Sequence, residues 1–171
     1  MYKRQVLSAI NISIDIGRAL EKFHYFQLCH GDLNPGNILN FGERWVLGDF
    51  EFSQSPGLIF TTIGAFPFRA PELETEEKSL TLKSDIFSFG ALMYYILTGE
   101  YLFNSEKDKL RSYEYILSVI REKLDYVPQK LCTLIANCVK QNPRLRPNIE
   151  DVLNELEVIR GSILLKRKRI D

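Results

Sequence analysis

The chain of 171 residues carries no net charge, with 22 Lys+Arg against 22 Asp+Glu. No overall field draws it to nucleic acid or to an anionic membrane, and neither is expected as a partner. It has no run of about 18 apolar residues, the length at which a helix becomes a candidate membrane span. The opening Met-Tyr-Lys-Arg-Gln leads into helical periodicity rather than into a signal peptide. Cysteine is scarce. Cys29, Cys132 and Cys138 are an odd number without paired metal spacing, each among apolar neighbours, and read as buried free thiols in a reducing compartment. A cytoplasmic location is expected. Internal repeats and low-complexity linkers are also lacking. What is present, 45% hydrophobic and 26% charged residues, is ordinary globular composition, enough for one domain with one sizeable core.

The chemistry concentrates in residues 29–52. Asp32, Asn37 and Asp49 place three oxygen-bearing side chains around a short polar loop and an apolar hairpin, with Gly and Pro at the bends. Such oxygens suit Mg²⁺, which takes only one or two carboxylates from protein and completes its shell with water and phosphate oxygens. Asn37 and Asp49 are the candidate ligands. Asp32, five residues before Asn37, is then free to accept a hydrogen bond from a substrate hydroxyl and orient it toward a phosphoryl group, a general-base role.

His30-Gly31-Asp32-Leu33-Asn34-Pro35-Gly36-Asn37 resembles the catalytic loop of the protein-kinase-like superfamily, usually His-Arg-Asp-Leu-Lys-Pro-x-Asn. Asp49-Phe50-Glu51 resembles its Asp-Phe-Gly. Ala70-Pro71-Glu72, the run Ser84-Asp85-Ile86-Phe87-Ser88-Phe89-Gly90 and Arg144-Leu145-Arg146-Pro147 follow in the family's order and roughly its spacing. The resemblance implies ATP and Mg²⁺ as cofactors, Asp32 and Asn34 as catalytic residues, and Leu39, Asn37 and Asp49 at the nucleotide. It implies that Leu39 touches the underside of the adenine, with Leu92 and Ile96 continuing that apolar column. It also implies an activation segment at 49–72 with Thr61 and Thr62 as candidate phosphoacceptors, and a buried ion pair between Glu72 and Arg146. His30 is implied to pack against Phe50 rather than to act as an acid or base.

The periodicities predict a mainly helical fold with one small β-hairpin, resembling the C-terminal lobe of a serine/threonine-type kinase over residues 1–165 with a basic tail at 166–171. A first helix over about 5–26 buries Val6, Ile10, Ile14, Ile16, Leu20 and Phe23. Residues 38–41 and 45–47 read as strands around a turn containing Gly42, which brings Asn37 and Asp49 to neighbouring ends. The run 84–97 is apolar nearly all round, hence central, with Ser84 as N-cap and Asp85 near the helix start able to accept backbone N–H groups, which the resemblance implies are those of the catalytic loop. Three amphipathic helices follow, on Leu110/Tyr113/Leu117/Ile120, on Leu131/Leu134/Ile135/Cys138/Val139 and on Ile149/Val152/Leu153/Leu156/Ile159. Pro128, Pro143 and Pro147 punctuate them, with Asn142-Pro143 closing one helix and Pro147-Asn148 opening the next. His24 and Tyr25 suggest no partner, and Lys166-Arg167-Lys168-Arg169 reads as a solvated tail, with a nuclear signal or a patch for acidic surfaces as the alternatives.

The pattern departs from the family in places. Neither Gly-x-Gly-x-x-Gly nor a Val-Ala-Ile-Lys-like strand occurs in the chain, so the resemblance covers the C-terminal lobe, and a separate N-lobe or partner protein is expected to complete the site. Asn34 stands where such kinases carry a lysine, and Ala65 where they carry a threonine, so less positive charge meets the transferring phosphoryl. Gly31 replaces the arginine that pairs with an activation-segment phosphate. His-Gly-Asp and Asp-Phe-Glu are similar to small-molecule kinases of the aminoglycoside and choline type, whereas Ala-Pro-Glu and the Glu72/Arg146 pair resemble protein kinases. The expected activity is ATP/Mg-dependent transfer to a protein hydroxyl, serine or threonine. The alternatives are a small-molecule kinase lobe and a non-catalytic pseudokinase or truncated scaffold. The chain by itself is expected to show little turnover.

Overall fold

The structure, a computed structural model, describes residues 2–57, 64–74 and 79–167. Its elements run in the order α1 (Tyr2–Tyr25), β1 (Ile38–Phe41), β2 (Arg44–Leu47), α2 (Leu82–Thr98), α3 (Glu106–Lys109), α4 (Tyr113–Lys123), α5 (Gln129–Cys138) and α6 (Ile149–Arg167). Short 3-10 turns at Pro35–Asn37, Pro71–Glu74 and Pro143–Leu145 lie between them. The mainly helical fold with a single hairpin is as the sequence predicts. Thr61, Thr62, Lys168 and Arg169 lie outside the described residues.

Helix α2 organises the core, because every residue from Ser84 to Tyr94 is buried. It packs against α1 and α5, and α1 packs in turn against α6. The approach to α5 depends on Gly90: a Cβ there would stand 2.6 Å from the Cys138 Cβ and 2.9 Å from the Val139 Cγ1. Only a residue without a side chain fits between two backbones at that spacing. The three cysteines are buried free thiols, and burial pushes Cys29 and Cys138 up to about 12. Such thiols are neutral packing groups.

Several element ends differ from the sequence expectation. The N-cap of α2 is Thr81, not Ser84. Thr81 accepts the Ser84 N–H at 3.2 Å while the Ser84 hydroxyl accepts the Thr81 N–H at 3.2 Å, a reciprocal capping box that starts the helix three residues earlier. Helix α1 ends at Tyr25 in a Schellman turn: the Leu28 N–H reaches the Phe23 carbonyl, the Gln27 N–H reaches that of His24, and Gln27 takes φ 55°. Glutamine in a place usually taken by glycine gives no sequence signal. Leu110 belongs to the exposed end of α3 rather than to the stripe of α4, whose buried residues are Ile116 and Ile120. Helix α5 closes at Cys138, and Asn142 instead caps the following 3-10 turn by accepting the Arg144 N–H at 3.0 Å.

A two-stranded hairpin is marginal by itself. Here Leu47 is buried and the Trp45 N–H donates to the Asp15 carboxylate on α1 at 3.2 Å, so the hairpin is tied to the first helix. Its pairing, Ile38 opposite Leu47 through Phe41 opposite Arg44, ends where the Gly48 N–H bonds the Asn37 carbonyl at 2.8 Å.

The ion pair expected between Glu72 and Arg146 is present, with two N–H···O contacts of 2.7 and 2.8 Å, and the arginine side chain is fully buried. Arg146 also donates to the carbonyls of Lys140, Lys83 and Gln141, and its guanidinium lies 5.0 Å from the centre of the Phe87 ring. The pair joins the segment after Ala65 to the start of the last helices. Glu72→Ala leaves a buried guanidinium without its counter-ion, and a loss of ~3–5 kcal/mol is expected in urea denaturation. A loss below about 1 kcal/mol would place the pair among those that add little.

Candidate active site

The residues that resemble a catalytic loop are hung from α2 by a single carboxylate. Asp85, 1% exposed, accepts the His30 N–H at 2.8 Å and the His24 Nε2–H at 3.1 Å on one oxygen, and the Gly31 N–H at 3.0 Å on the other. A buried charge needs partners of this kind. His24 is therefore not partnerless. Its signal in the sequence is weak, since Asp85 lies 61 positions away.

Gly31 turns at φ 84°, and a Cβ there would lie 3.0 Å from the Phe52 carbonyl oxygen and 3.1 Å from Leu80. Glycine takes this conformation without strain. Next to it, the His30 tautomer is fixed by its neighbours: Nε2–H donates to the Gly48 carbonyl at 3.1 Å, and Nδ1 accepts the Asp32 N–H at 3.3 Å. Burial pulls the His30 pKa below its ordinary 6.5, against the opposing charges of Asp85, Asp32 and Asp49. The ring meets Phe50 edge-on at 5.7 Å, while Phe50 stacks on Phe23 at 5.3 Å. His30 is thus a packing and hydrogen-bonding group, as the resemblance implies.

Both oxygens of Asp32 are oriented. Oδ2 accepts Asn37 Nδ2–H at 2.9 Å and Oδ1 accepts the Ala65 N–H at 3.0 Å. Asn37 spends its Nδ2 on Asp32, with a second bond of 2.8 Å to the Asp32 carbonyl, so its Oδ1 is the atom a cation would use. Asp49 is exposed at φ 57°, a conformation that aspartate tolerates better than most residues, and its Oδ1 accepts the Glu51 N–H at 3.3 Å. An amide oxygen and a carboxylate are hard donors and fit Mg²⁺. Asn34 folds back into the loop. Its Oδ1 caps the Pro35–Asn37 turn through the Gly36 N–H at 2.8 Å, and its Nδ2 donates to the Asp32 carbonyl at 3.2 Å. Leu39 stands exposed on β1, whereas Leu92 is fully buried in α2 and Ile96 partly so.

A family model described as "Protein kinase domain" matches residues 4–156. The chain belongs to the protein kinase domain family. Its relatives include the seven transmembrane domain-containing tyrosine-protein kinase 1 of Dictyostelium discoideum, 30% identical over 167 residues, which cover 92% of this chain and 24% of that protein. The serine/threonine-protein kinase STY17 of Arabidopsis thaliana is 24% identical, covering 89% of this chain and 27% of its own length. The serine/threonine-protein kinase PkaA of Streptomyces coelicolor is 31% identical, covering 92% and 30%. The chain spans less than a third of each of these relatives. Within the kinase fold, the helices and hairpin described here correspond to the mainly helical C-lobe. Among the described residues, no helix is long and apolar enough to cross a membrane.

A cavity of about 520 Å³ lies elsewhere, lined by Lys130, Thr133, Asn137, Lys140, Pro147 and Asp151 among others, and includes none of Asp32, Asn37 or Asp49. Sequence reasoning also passed over Lys109, which is buried against the segment that meets Asp32.

Because the folded state holds His30 neutral, its contribution to stability is complete above pH 6.5 and is lost as pH falls through that value toward the lowered folded pKa. Protonation at Nδ1 breaks the bond from the Asp32 N–H. The urea midpoint of the native chain is expected to fall between about pH 7 and 5.5 more steeply than that of His30→Gln, which cannot titrate there. Parallel curves for the two proteins would assign the pH dependence to other groups.

Proposed function

We propose that this chain supplies the catalytic half of a phosphotransferase site that moves the γ-phosphoryl of ATP to a protein hydroxyl. The observation that carries the reading is the double orientation of Asp32, whose two oxygens are held by Asn37 and Ala65. Each oxygen keeps a further lone pair. A carboxylate so fixed can accept the hydrogen bond of an incoming serine or threonine hydroxyl, align its oxygen with the phosphorus, and take up the proton as the new P–O bond forms and ADP leaves. Asn37 Oδ1 and Asp49 would hold Mg²⁺, which supplies charge neutralisation at the phosphates when bound. Asn34 brings a neutral donor where a lysine is usual and is engaged in the loop, so the chain's own cationic help to the phosphoryl group is small.

A second lobe is part of the proposal. Leu39, Phe41 and Phe50 are 46%, 69% and 51% exposed, and the resemblance puts Leu39 beneath the adenine. Exposed apolar surface of this kind marks an interface. The residues of this chain include no Gly-rich loop or strand lysine, so a complementary lobe must bring them. Protein rather than small-molecule substrates are favoured by the Glu72–Arg146 pair, which anchors the segment against which a peptide would lie. The relatives named above include both tyrosine and serine/threonine kinases.

Calorimetric titration with ATP and Mg²⁺ is expected to show binding to the native chain and at least about tenfold weaker binding to Asp49→Ala. With a complementary lobe added, Asp32→Asn is expected to keep nucleotide binding and lose about 10²–10⁴ in transfer rate to a peptide hydroxyl. Nucleotide binding in neither the native chain nor Asp49→Ala would favour the non-catalytic scaffold. Transfer to a small alcohol but to no peptide would favour the small-molecule kinase.

A further inference from the structure

Lys109 closes the four-residue helix α3, and its side chain is 0% exposed. A buried ammonium requires partners, and here they are specific. Nζ donates to the Phe66 carbonyl at 2.9 Å and to the Glu106 carboxylate at 3.1 and 3.2 Å, and it stands 4.6 Å from the centre of the Phe66 ring. One side chain therefore grips both the backbone and the ring of Phe66. Burial pulls the amine below its ordinary pKa, and the Glu106 hydrogen bond and charge oppose that pull.

Phe66 directly follows Ala65, whose N–H meets Asp32. The Ala65 carbonyl in turn accepts the N–H groups of Phe68 and Arg69 at 3.0 Å each, so residues 65–69 form a tight turn. Alanine has no side-chain donor. A hydroxyl at this position could find Asp32 by rotating about χ1, but a backbone N–H is aimed only by placing the chain. Its aim thus depends on whatever holds the turn from outside.

We infer that Lys109 is a positioning residue, which by clamping Phe66 holds the Ala65 N–H on Asp32 and so fixes the carboxylate that receives the substrate hydroxyl. The inference rests on the assignment of Asp32 made above, but the clamp can be tested without it. Moving the turn away from Asp32 would draw the Phe66 carbonyl from Nζ and leave a buried charge short of an acceptor, which opposes the motion. The clamp and the orientation of Asp32 are therefore coupled through two consecutive residues.

Amide hydrogen exchange on the whole chain tests this. Lys109→Met keeps an unbranched, buried side chain and deletes the donor, whereas Phe66→Leu deletes the ring and keeps the carbonyl. The Ala65 amide is expected to be protected in the native chain and to exchange at least about tenfold faster in Lys109→Met, with Ile135 and Leu156 in α5 and α6 unchanged. In Phe66→Leu it is expected to stay within about threefold of the native rate. A lysine with a merely structural role would loosen Ala65 and the two helices together, or leave Ala65 as it was, and either result overturns the inference. So does a native chain in which Ala65 is unprotected. Should Lys109→Met fail to fold, Glu106→Gln weakens the hold on the amine and is expected to speed exchange at Ala65, and no change there overturns the clamp. Exchange is read without nucleotide or acceptor, so its failure is distinct from a failure of phosphoryl transfer.

Discussion

The carboxylate of Asp85 is the constraint on which the loop geometry depends. It lies in the first turn of a helix whose next nine residues are all buried, where an unpaired charge would be prohibitively costly. Only donors can satisfy it, and it takes them from two consecutive loop amides, those of His30 and Gly31, and from His24 at the end of α1. Through this one side chain the central helix fixes the start of the loop at 30–37. His30, held by its amide, passes the constraint on through Nε2–H to Gly48, next to Asp49, and through Nδ1 to the amide of Asp32. The three residues proposed to do chemistry are thus positioned by a helix that contributes none of them.

A second set of buried charges does the same for the segment after residue 64. Glu72 is fastened to Arg146, and Phe66 to Lys109, while Ala65 bonds Asp32. Buried pairs of this kind contribute little net stability compared with apolar packing of the same volume. Their directional demand is the physical gain: each cation accepts only a few placements of its partner, so a segment with little secondary structure holds a defined path. Lys83 serves α2 and α6 alike, donating to the Arg146 and Pro147 carbonyls and to Asn148.

The helices, the hairpin and their apolar stripes were legible in the sequence because periodicity and burial report the same physics. Val6, Ile10, Ile14 and Leu20 on α1, and Ile149 through Ile159 on α6, fall in the core as spaced. The Glu72–Arg146 pair was legible only through the family resemblance. What could not be read were choices between near-equivalent local chemistries and partners far apart in the chain. Thr81 and Ser84 are both good caps, and the reciprocal bond uses each. Gln27 adopts a conformation that glycine would have announced. His24 and Asp85 are 61 positions apart, Lys109 and Phe66 43, and neither pair carries a spacing signature. Asn34 could be assigned to the phosphoryl group by position, but its own loop offers a carbonyl and an amide that its side chain reaches first.

Two departures from the family pattern, at Gly31 and Ala65, each have a local structural counterpart. At Gly31 the room a side chain would need is taken by the backbone and Cβ of Phe52 and by Leu80, so an arginine there would require the segment after Asp49 to move. Glycine at 31 and the course of residues 50–54 are therefore linked, and the Cys29–Gln54 bridge, with N–H···O distances of 2.8 and 3.1 Å, closes that link. Likewise, alanine at 65 removes a hydroxyl, yet its N–H reaches the same aspartate. Asp32 is thus held on one oxygen by the Asn37 side chain and on the other by a backbone N–H, so the absence of a hydroxyl at 65 leaves neither oxygen without a donor.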